Sequence, residues 1–170
     1  ISLMTHEYKK YQFLGNNIGI KAGFSHGWFS KGEYIKAPYL HEKYLYIRNY
    51  INDKSEFTLG LVHEAIWGGT TNSHGQQPGT FEDYFRVVFA RPASSSGFIG
   101  EQVNVLGNHL GVWDLSYSNK NLKREIKFYY QHPFEDKSGA FQYFFDELKK
   151  RRLTSKSFDG LFGIEIKNNS

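Results

Sequence analysis

Between Phe57 and Trp67 the chain alternates: Phe57, Leu59, Leu61, His63, Ala65 and Trp67 hold one set of positions, and Thr58, Gly60, Val62, Glu64 and Ile66 hold the other. A period of two belongs to a strand, whose successive side chains leave opposite faces of the sheet. That assignment disposes of a tempting motif. LVHEAIWGG (61–69) opens with His63-Glu64 as a zinc-protease helix does, but Trp67 stands where the second histidine of H-E-x-x-H must be. One ligand is missing, and on a strand Glu64 faces away from His63. Gly68 and Gly69 then end the run, and TTNSHGQQPG (70–79) reads as a loop.

The same period recurs along the chain. Residues 17–25 set Ile18, Ile20, Ala22 and Phe24 against Asn17, Gly19, Lys21 and Gly23, and 39–50 form a long aromatic strand with a less clean pattern. Residues 83–91 are predicted as a strand with Phe85, Val87 and Phe89 opposed to Tyr84, Arg86 and Val88. Over 102–118 the pattern predicts a strand, a glycine-relaxed bend and a second stretch of strand. Residues 123–132 set Ile126, Phe128 and Tyr130 against Lys127, Tyr129 and Gln131, and 159–167 set Phe162, Ile164 and Ile166 against Gly163, Glu165 and Lys167. A single short helix is predicted, over 140–152 (AFQYFFDELKKRR), as part of a long loop, and RPASSSG (91–97) reads as a turn or linker. No repeat of fixed period is present.

Strands of about nine to twelve residues with dyad alternation, separated by turns and long polar loops, fit a transmembrane β-barrel. A soluble β-sandwich shows the same alternation because its core face is apolar; strand length favours the barrel. The chain has 170 residues and a net charge of +4, which suits one domain or a piece of a larger one. Mean hydropathy is negative and no apolar run can form a transmembrane helix, so a helical membrane protein is excluded. Aromatic residues make up 18% of the chain, a content suited to a sheet with one very apolar face or to a carbohydrate-binding surface. Cysteine is absent, so neither a disulfide framework nor a thiolate zinc site can form. With Ile1 first and no signal peptide, the chain is expected to be a mature chain or a fragment.

A set of motifs carries a resemblance. Ser25-His26-Gly27, Tyr39-Leu40-His41-Glu42-Lys43-Tyr44-Leu45-Tyr46, His63-Glu64-Ala65-Ile66-Trp67-Gly68-Gly69 and Phe81-Glu82-Asp83-Tyr84-Phe85-Arg86 are followed by Gly107-Asn108-His109-Leu110-Gly111. Tyr130-Gln131-His132-Pro133-Phe134-Glu135-Asp136-Lys137-Ser138-Gly139 and Asp159-Gly160-Leu161-Phe162-Gly163 complete the series. In this order, over nearly the whole chain, the set resembles the capsule-assembly Wzi family in its Bacteroidetes-like form. The resemblance implies an all-β fold, an antiparallel β-barrel in the bacterial outer membrane, which acts as a lectin holding capsular or other exported polysaccharide at the cell surface. Family members are much longer, so residues 1–170 are expected to be part of a single large barrel domain, an internal or C-terminal portion. Expected partners are surface polysaccharide, outer-membrane lipid and lipopolysaccharide, and other outer-membrane proteins.

For polysaccharide binding, the candidate residues are His63, Trp67, Asn108, His109, Gln131, His132 and Asp136. His63 and Trp67 on one strand face offer an imidazole donor beside a ring on which a sugar can stack; alternatively Trp67 belongs to an interfacial aromatic belt and His63 is structural. Asn108 and His109 sit between glycines that permit close backbone approach or a bend. Glycoside hydrolysis needs two carboxyl groups about 5 to 10 Å apart. Among Glu64, Glu135 and Asp136 the last two are neighbours, pointing to opposite faces on a strand, so no catalytic residue is expected and the chain is not read as an enzyme. A glycoside hydrolase and a passive porin are the alternatives. Seven histidines show no ligand spacing, so a metal site would have to assemble across strands; neither metal nor other cofactor is expected. Nucleic acid is not an expected partner, since only Lys149-Lys150-Arg151-Arg152 clusters basic charge.

Overall fold

In the computed structural model, residues 1–30, 32, 34–94, 97, 99–135 and 160–168 are described. They form an antiparallel all-β fold built on one eight-stranded sheet. Its strands are β1 (Ser2–Met4), β2 (Lys9–Phe13), β3 (Asn16–Trp28), β5 (Tyr39–Tyr50), β6 (Ser55–Trp67), β9 (Asn108–Lys120), β10 (Arg124–Phe134) and β11 (Leu161–Asn168). The spatial order is β1-β3-β5-β6-β9-β10-β11, with β2 also paired to β3. Among the described residues the sheet is open, with β11 at one edge and β1 and β2 at the other. A small second sheet joins β4 (Ile35–Lys36), β7 (Thr70–Thr71) and β8 (Gly75–Gln76).

Register decides which side chains share a face. Tyr39 pairs with Trp67 and Tyr50 with Glu56; Ser55 pairs with Asn119 and Ile66 with Asn108; Glu125 pairs with Lys120 and Phe134 with Gly111. No residue is inserted anywhere along these ladders, so each strand's alternation is carried to the next. One row reads Ile20, Ile47, Leu59, Leu115, Tyr130 and Phe162 from β3 to β11, and the next reads Ile18, Asn49, Phe57, Tyr117, Phe128 and Ile164. On the opposite face the corresponding row is Lys21, Tyr46, Gly60, Asp114, Gln131 and Leu161. A mainly apolar and a mainly polar face are thereby separated, with Asn49 and Leu161 as exceptions in these rows.

The apolar rows are open. Phe128 is 49% exposed and Ile164 63%, and Ile20, Leu45, Ile47, Phe57, Leu59 and Tyr117 are exposed as well. Across the polar face, aromatic rings lie on glycines of the neighbouring strand. A β-carbon at Gly23 would run into the Tyr44 ring, one at Gly60 into Tyr46, and one at Gly163 into Tyr129. Each glycine is the direct ladder partner of its tyrosine. The missing side chain leaves room for the ring to lie flat on backbone, which explains glycine in otherwise regular strands.

Connections differ at the two ends of the sheet. At one end they are tight: residues 14–15 join β2 to β3, 51–54 join β5 to β6, and 121–123 join β9 to β10. Leu14 and Gly15 both have positive φ, as a two-residue hairpin turn requires. Asn52 Oδ1 accepts from Lys54 N and Ser55 N, and Asn121 Oδ1 accepts from Lys123 N and Arg124 N, so each asparagine closes its turn with its side chain. At the other end, residues 29–38 and 68–107 make long excursions.

The excursion at 68–107 corrects the expected strand at 83–91. It holds helix α1 (Phe81–Val88), and a short helix α2 (Ile99–Val103) follows. Thr80 is the N-cap of α1: its Oγ1 accepts from Asp83 N while the Asp83 carboxylate accepts from Thr80 N, a reciprocal capping box. Phe81 and Phe85 then fall on one helix face and Asp83 and Val87 on the other, a 3.6-residue period that the two-residue reading of the same phenylalanines mistook. The strand expected at the start of 102–118 is likewise absent. α2 ends at Val103, Gly107 adopts φ 88°, and β9 runs without a bend from Asn108. The helix expected over 140–152 lies outside the described residues, as does part of 91–97.

Because Tyr46 lies on Gly60, Gly60→Val should displace that ring and destabilise the sheet by about 1–3 kcal/mol. Gly60→Val combined with Tyr46→Ala should regain part of the loss, as read from denaturation midpoints of the two variants.

Candidate functional site

At the long-loop end, the apolar face changes character. Phe24, Lys43, His63, Gly111 and Phe134 form one row, and His26, His41, Ala65 and His109 form the next. Four histidines far apart in sequence thus become neighbours through register alone. His41 is wholly buried, and His63 and His109 are buried too. α1 and the chain that follows it cover them: Val87, Ala93 and Leu106 join Ala65 and Trp67 in a small core, with Tyr39 and Tyr84 packed against it.

The hydrogen bonds assign tautomers. His109 Nε2 lies 2.8 Å from the Leu106 carbonyl oxygen, which can only accept, so His109 carries its proton on Nε2. His109 Nδ1 is then an acceptor, and His63 Nε2, 2.8 Å away, donates to it. The chain of bonds runs His63 to His109 to Leu106, leaving His63 Nδ1 as a buried nitrogen outside the chain. His41 makes no hydrogen bond at either ring nitrogen; the Ser25 backbone stands nearby without hydrogen-bond geometry. Its ring approaches Phe24 edge-on at 4.8 Å and Tyr84 at 6.3 Å, and lies tilted to the His63 ring at 6.3 Å.

Lys43 is the cation of the cluster. Its ammonium donates to the carbonyl of Val88, the last residue of α1. The C-terminal carbonyls of a helix lack intrahelical partners and carry partial negative charge, so the lysine caps the helix and pins it to β5. Thr80 and Asp83 hold the other end. The same ammonium sits among imidazoles, where its charge opposes a second cation. Among the described residues no group of three or more histidines or carboxylates has metal-binding geometry.

The residues expected to bind polysaccharide separate. His63, Trp67 and His109 lie together in the covered cluster, where Trp67 is only 4% exposed and its ring packs on Tyr39 at 4.8 Å. His132 is on the same face, two strands from His63, beside Trp113 and with its Nδ1 3.3 Å from the Tyr130 hydroxyl. Asn108 and Gln131 are on the polar face. Asp136 lies outside the described residues. Of the other carboxylates considered, Glu64 stands directly opposite Glu42 on the polar face, and Glu135 is exposed just past β10.

A second feature was not anticipated. On the polar face, at the tight-turn end, a basin of about 750 Å3 is lined by Lys10, Asn17, Arg48, Tyr50, Glu56, Ser118 and Lys120 among others. Arg48 organises it: its guanidinium lies 3.9 Å from the Tyr8 ring centroid, 3.1 Å from Glu56 Oε1, and its Nε donates to Thr58 Oγ1 at 3.2 Å. Lys10 lies over the Tyr50 ring at 5.0 Å. The available signal was the alternate set Tyr44, Tyr46, Arg48 and Tyr50 in β5, opposed to Leu45 and Ile47.

Lys43→Met, which keeps the stem and removes the charge, should loosen α1 by about 1–2 kcal/mol. Amide hydrogen exchange should speed up over 81–89 while β5 and β6 stay protected; unchanged exchange in α1 would remove the capping role.

Comparison with known protein families, with curated proteins and with solved structures finds no match to this chain.

Proposed function

We propose that this sheet is a section of the wall of an outer-membrane β-barrel whose polar inner face engages capsular or other exported polysaccharide. One observation carries the reading. Each of β3, β5, β6, β9, β10 and β11 exposes aliphatic or aromatic side chains on one face, interrupted at Asn49, while the reverse face of the same strands is mostly polar, with Ile66, Leu110 and Leu161 as its exposed apolar exceptions. An exposed apolar surface of that extent calls for lipid or a partner, and a barrel wall meets lipid on one face and water on the other. Strands of 11 to 13 residues for β3, β5, β6, β9 and β10 are long enough to cross a bilayer when tilted. Tight turns at one end and long excursions at the other match periplasmic turns and extracellular loops.

The polysaccharide part rests on the ordered motifs that resemble the capsule-assembly family and on the chemistry of the inner face. Hydroxyl, amide, guanidinium and phenol groups around Arg48 and Tyr50 are those that pair with sugar hydroxyls and acidic sugar substituents. The basin therefore replaces the Trp67 neighbourhood as the place where glycan contact is expected.

Phe128→Lys should cost roughly 2–4 kcal/mol of assembly if the residue lies near the bilayer midplane, whereas Gln131→Ala on the inner face should cost almost nothing. Membrane fractionation and denaturant titration of the two variants in lipid read the difference; equal tolerance of both changes overturns the wall. Tyr50→Ala should weaken binding of purified capsular polysaccharide by about 1 kcal/mol, roughly fivefold, in a calorimetric titration. Ion conductance without glycan affinity would make the protein a passive porin, and glycan turnover lost on Glu64→Gln would make it an enzyme.

A further inference from the structure

The cover over the histidine cluster has an outer surface of its own, and that surface is apolar. Along α1 the inward positions are Asp83, Tyr84 and Val87, while Phe81, Phe85 and the C-cap Phe89 recur every fourth residue on the opposite side. Phe81 is 77% exposed and Phe89 64%. In α2, Ile99 and Val103 repeat the spacing and are exposed too. Phe81 and Phe85 touch each other and the Tyr84 ring, yet each of the three phenylalanines leaves much of its ring open, and an outward apolar face of that kind is costly in water.

Its position says what covers it. The row beneath α1, with Lys43 and His63, adjoins the row of Ala22, Leu45, Leu61 and Trp113, where the exposed apolar rows begin. The strands turn polar at this level, and the helix restores an apolar exterior above them. The polar atoms of the cover are arranged as at a headgroup boundary. Glu82 and Arg86 pair with each other along the flank of the helix, and the Arg91 guanidinium lies 5.8 Å from the exposed Phe89 ring centroid, a cation beside an aromatic.

We infer that α1 is an interfacial helix: it lies on the outside of the sheet with Phe81, Phe85 and Phe89 inserted into the headgroup–acyl boundary of the surrounding bilayer. The inference rests on the barrel-wall reading. Trp67, an expected belt residue, is buried under the helix, and the helix phenylalanines take that place at the membrane boundary. The occupant is lipid and not a second protein, because the helix face continues the surface that the wall presents to hydrocarbon.

The chain contains no cysteine, so single labelling sites can be placed without background. Phe85→Cys, Phe89→Cys, Phe128→Cys and Lys127→Cys would each carry a bimane probe in protein reconstituted into phosphatidylcholine vesicles. Those vesicles would contain lipids spin-labelled either near the headgroup or near the end of the acyl chain. Probes at 85 and 89 should lose fluorescence mainly to the shallow label, the probe at 128 mainly to the deep label, and the probe at 127, on the inner face, to neither. Loss at 128 with none at 85 and 89 overturns the interfacial helix and leaves the wall standing. Spontaneous disulfide formation between unlabelled Phe85→Cys chains, with no lipid quenching, would assign the face to a second copy and also overturn it. No loss at 128 overturns the wall and this inference together.

Discussion

The molecule depends on register. In a strand the side chains alternate with a period of two, so slipping any ladder by a single residue would send a strand's leucines and phenylalanines to the polar face and its lysines and tyrosines to the apolar one. From β3 to β11 no bulge interrupts the ladders, and the alternation written separately into six distant segments is thereby added into two coherent surfaces. The tight turns set the register on one side; the glycine–tyrosine pairs hold it from within. A tyrosine can lie across Gly23, Gly60 or Gly163 only where the glycine is its direct partner, so a slipped strand would drive the ring into a β-carbon.

The apolar face is not uniform, and its polar end governs the rest of the tertiary structure. Imidazoles and an ammonium placed on a face that is otherwise hydrocarbon need partners or cover, because a buried polar group without either costs several times RT. The segment 68–107 supplies both: Leu106 offers a carbonyl to His109, Val88 offers one to Lys43, and Val87 closes over the cluster. Cover and covered fix each other. The helix that hides the cluster is capped by a residue of the cluster, so neither is well placed without the other.

Much of this was legible beforehand. β5 spans the residues 39–50 that were expected, β6 adds Ser55 and Glu56 to the run from Phe57 to Trp67, and β10 and β11 fall within two residues of their predicted limits, because long amphipathic strands announce themselves by period. Two strands of three and five residues, β1 and β2, were missed, since so few positions cannot establish a period. FEDYFRVV was misread for a specific reason: phenylalanines at 81, 85 and 89 satisfy both a two-residue and a four-residue spacing. The deciding sign was Thr80 with Asp83 three residues later, a capping box that only a helix start uses.

What the chain determined by itself is the two-faced character of its strands, the stop at Gly68-Gly69, and the exclusion of a local zinc motif at His63, because each depends on residues adjacent along the backbone. Which histidines meet could not be read there. His26, His41, His63 and His109 have no common spacing, and only three successive ladders in one register bring them side by side. The same holds for the inner basin around Arg48 and Tyr50, whose walls come from β2, β3, β5, β6, β9 and β10. Nor could sequence tell that Trp67 is hidden and Phe81 exposed: the difference lies in where a helix folds back, and that is decided by Lys43 and the core it covers, some forty residues away along the chain.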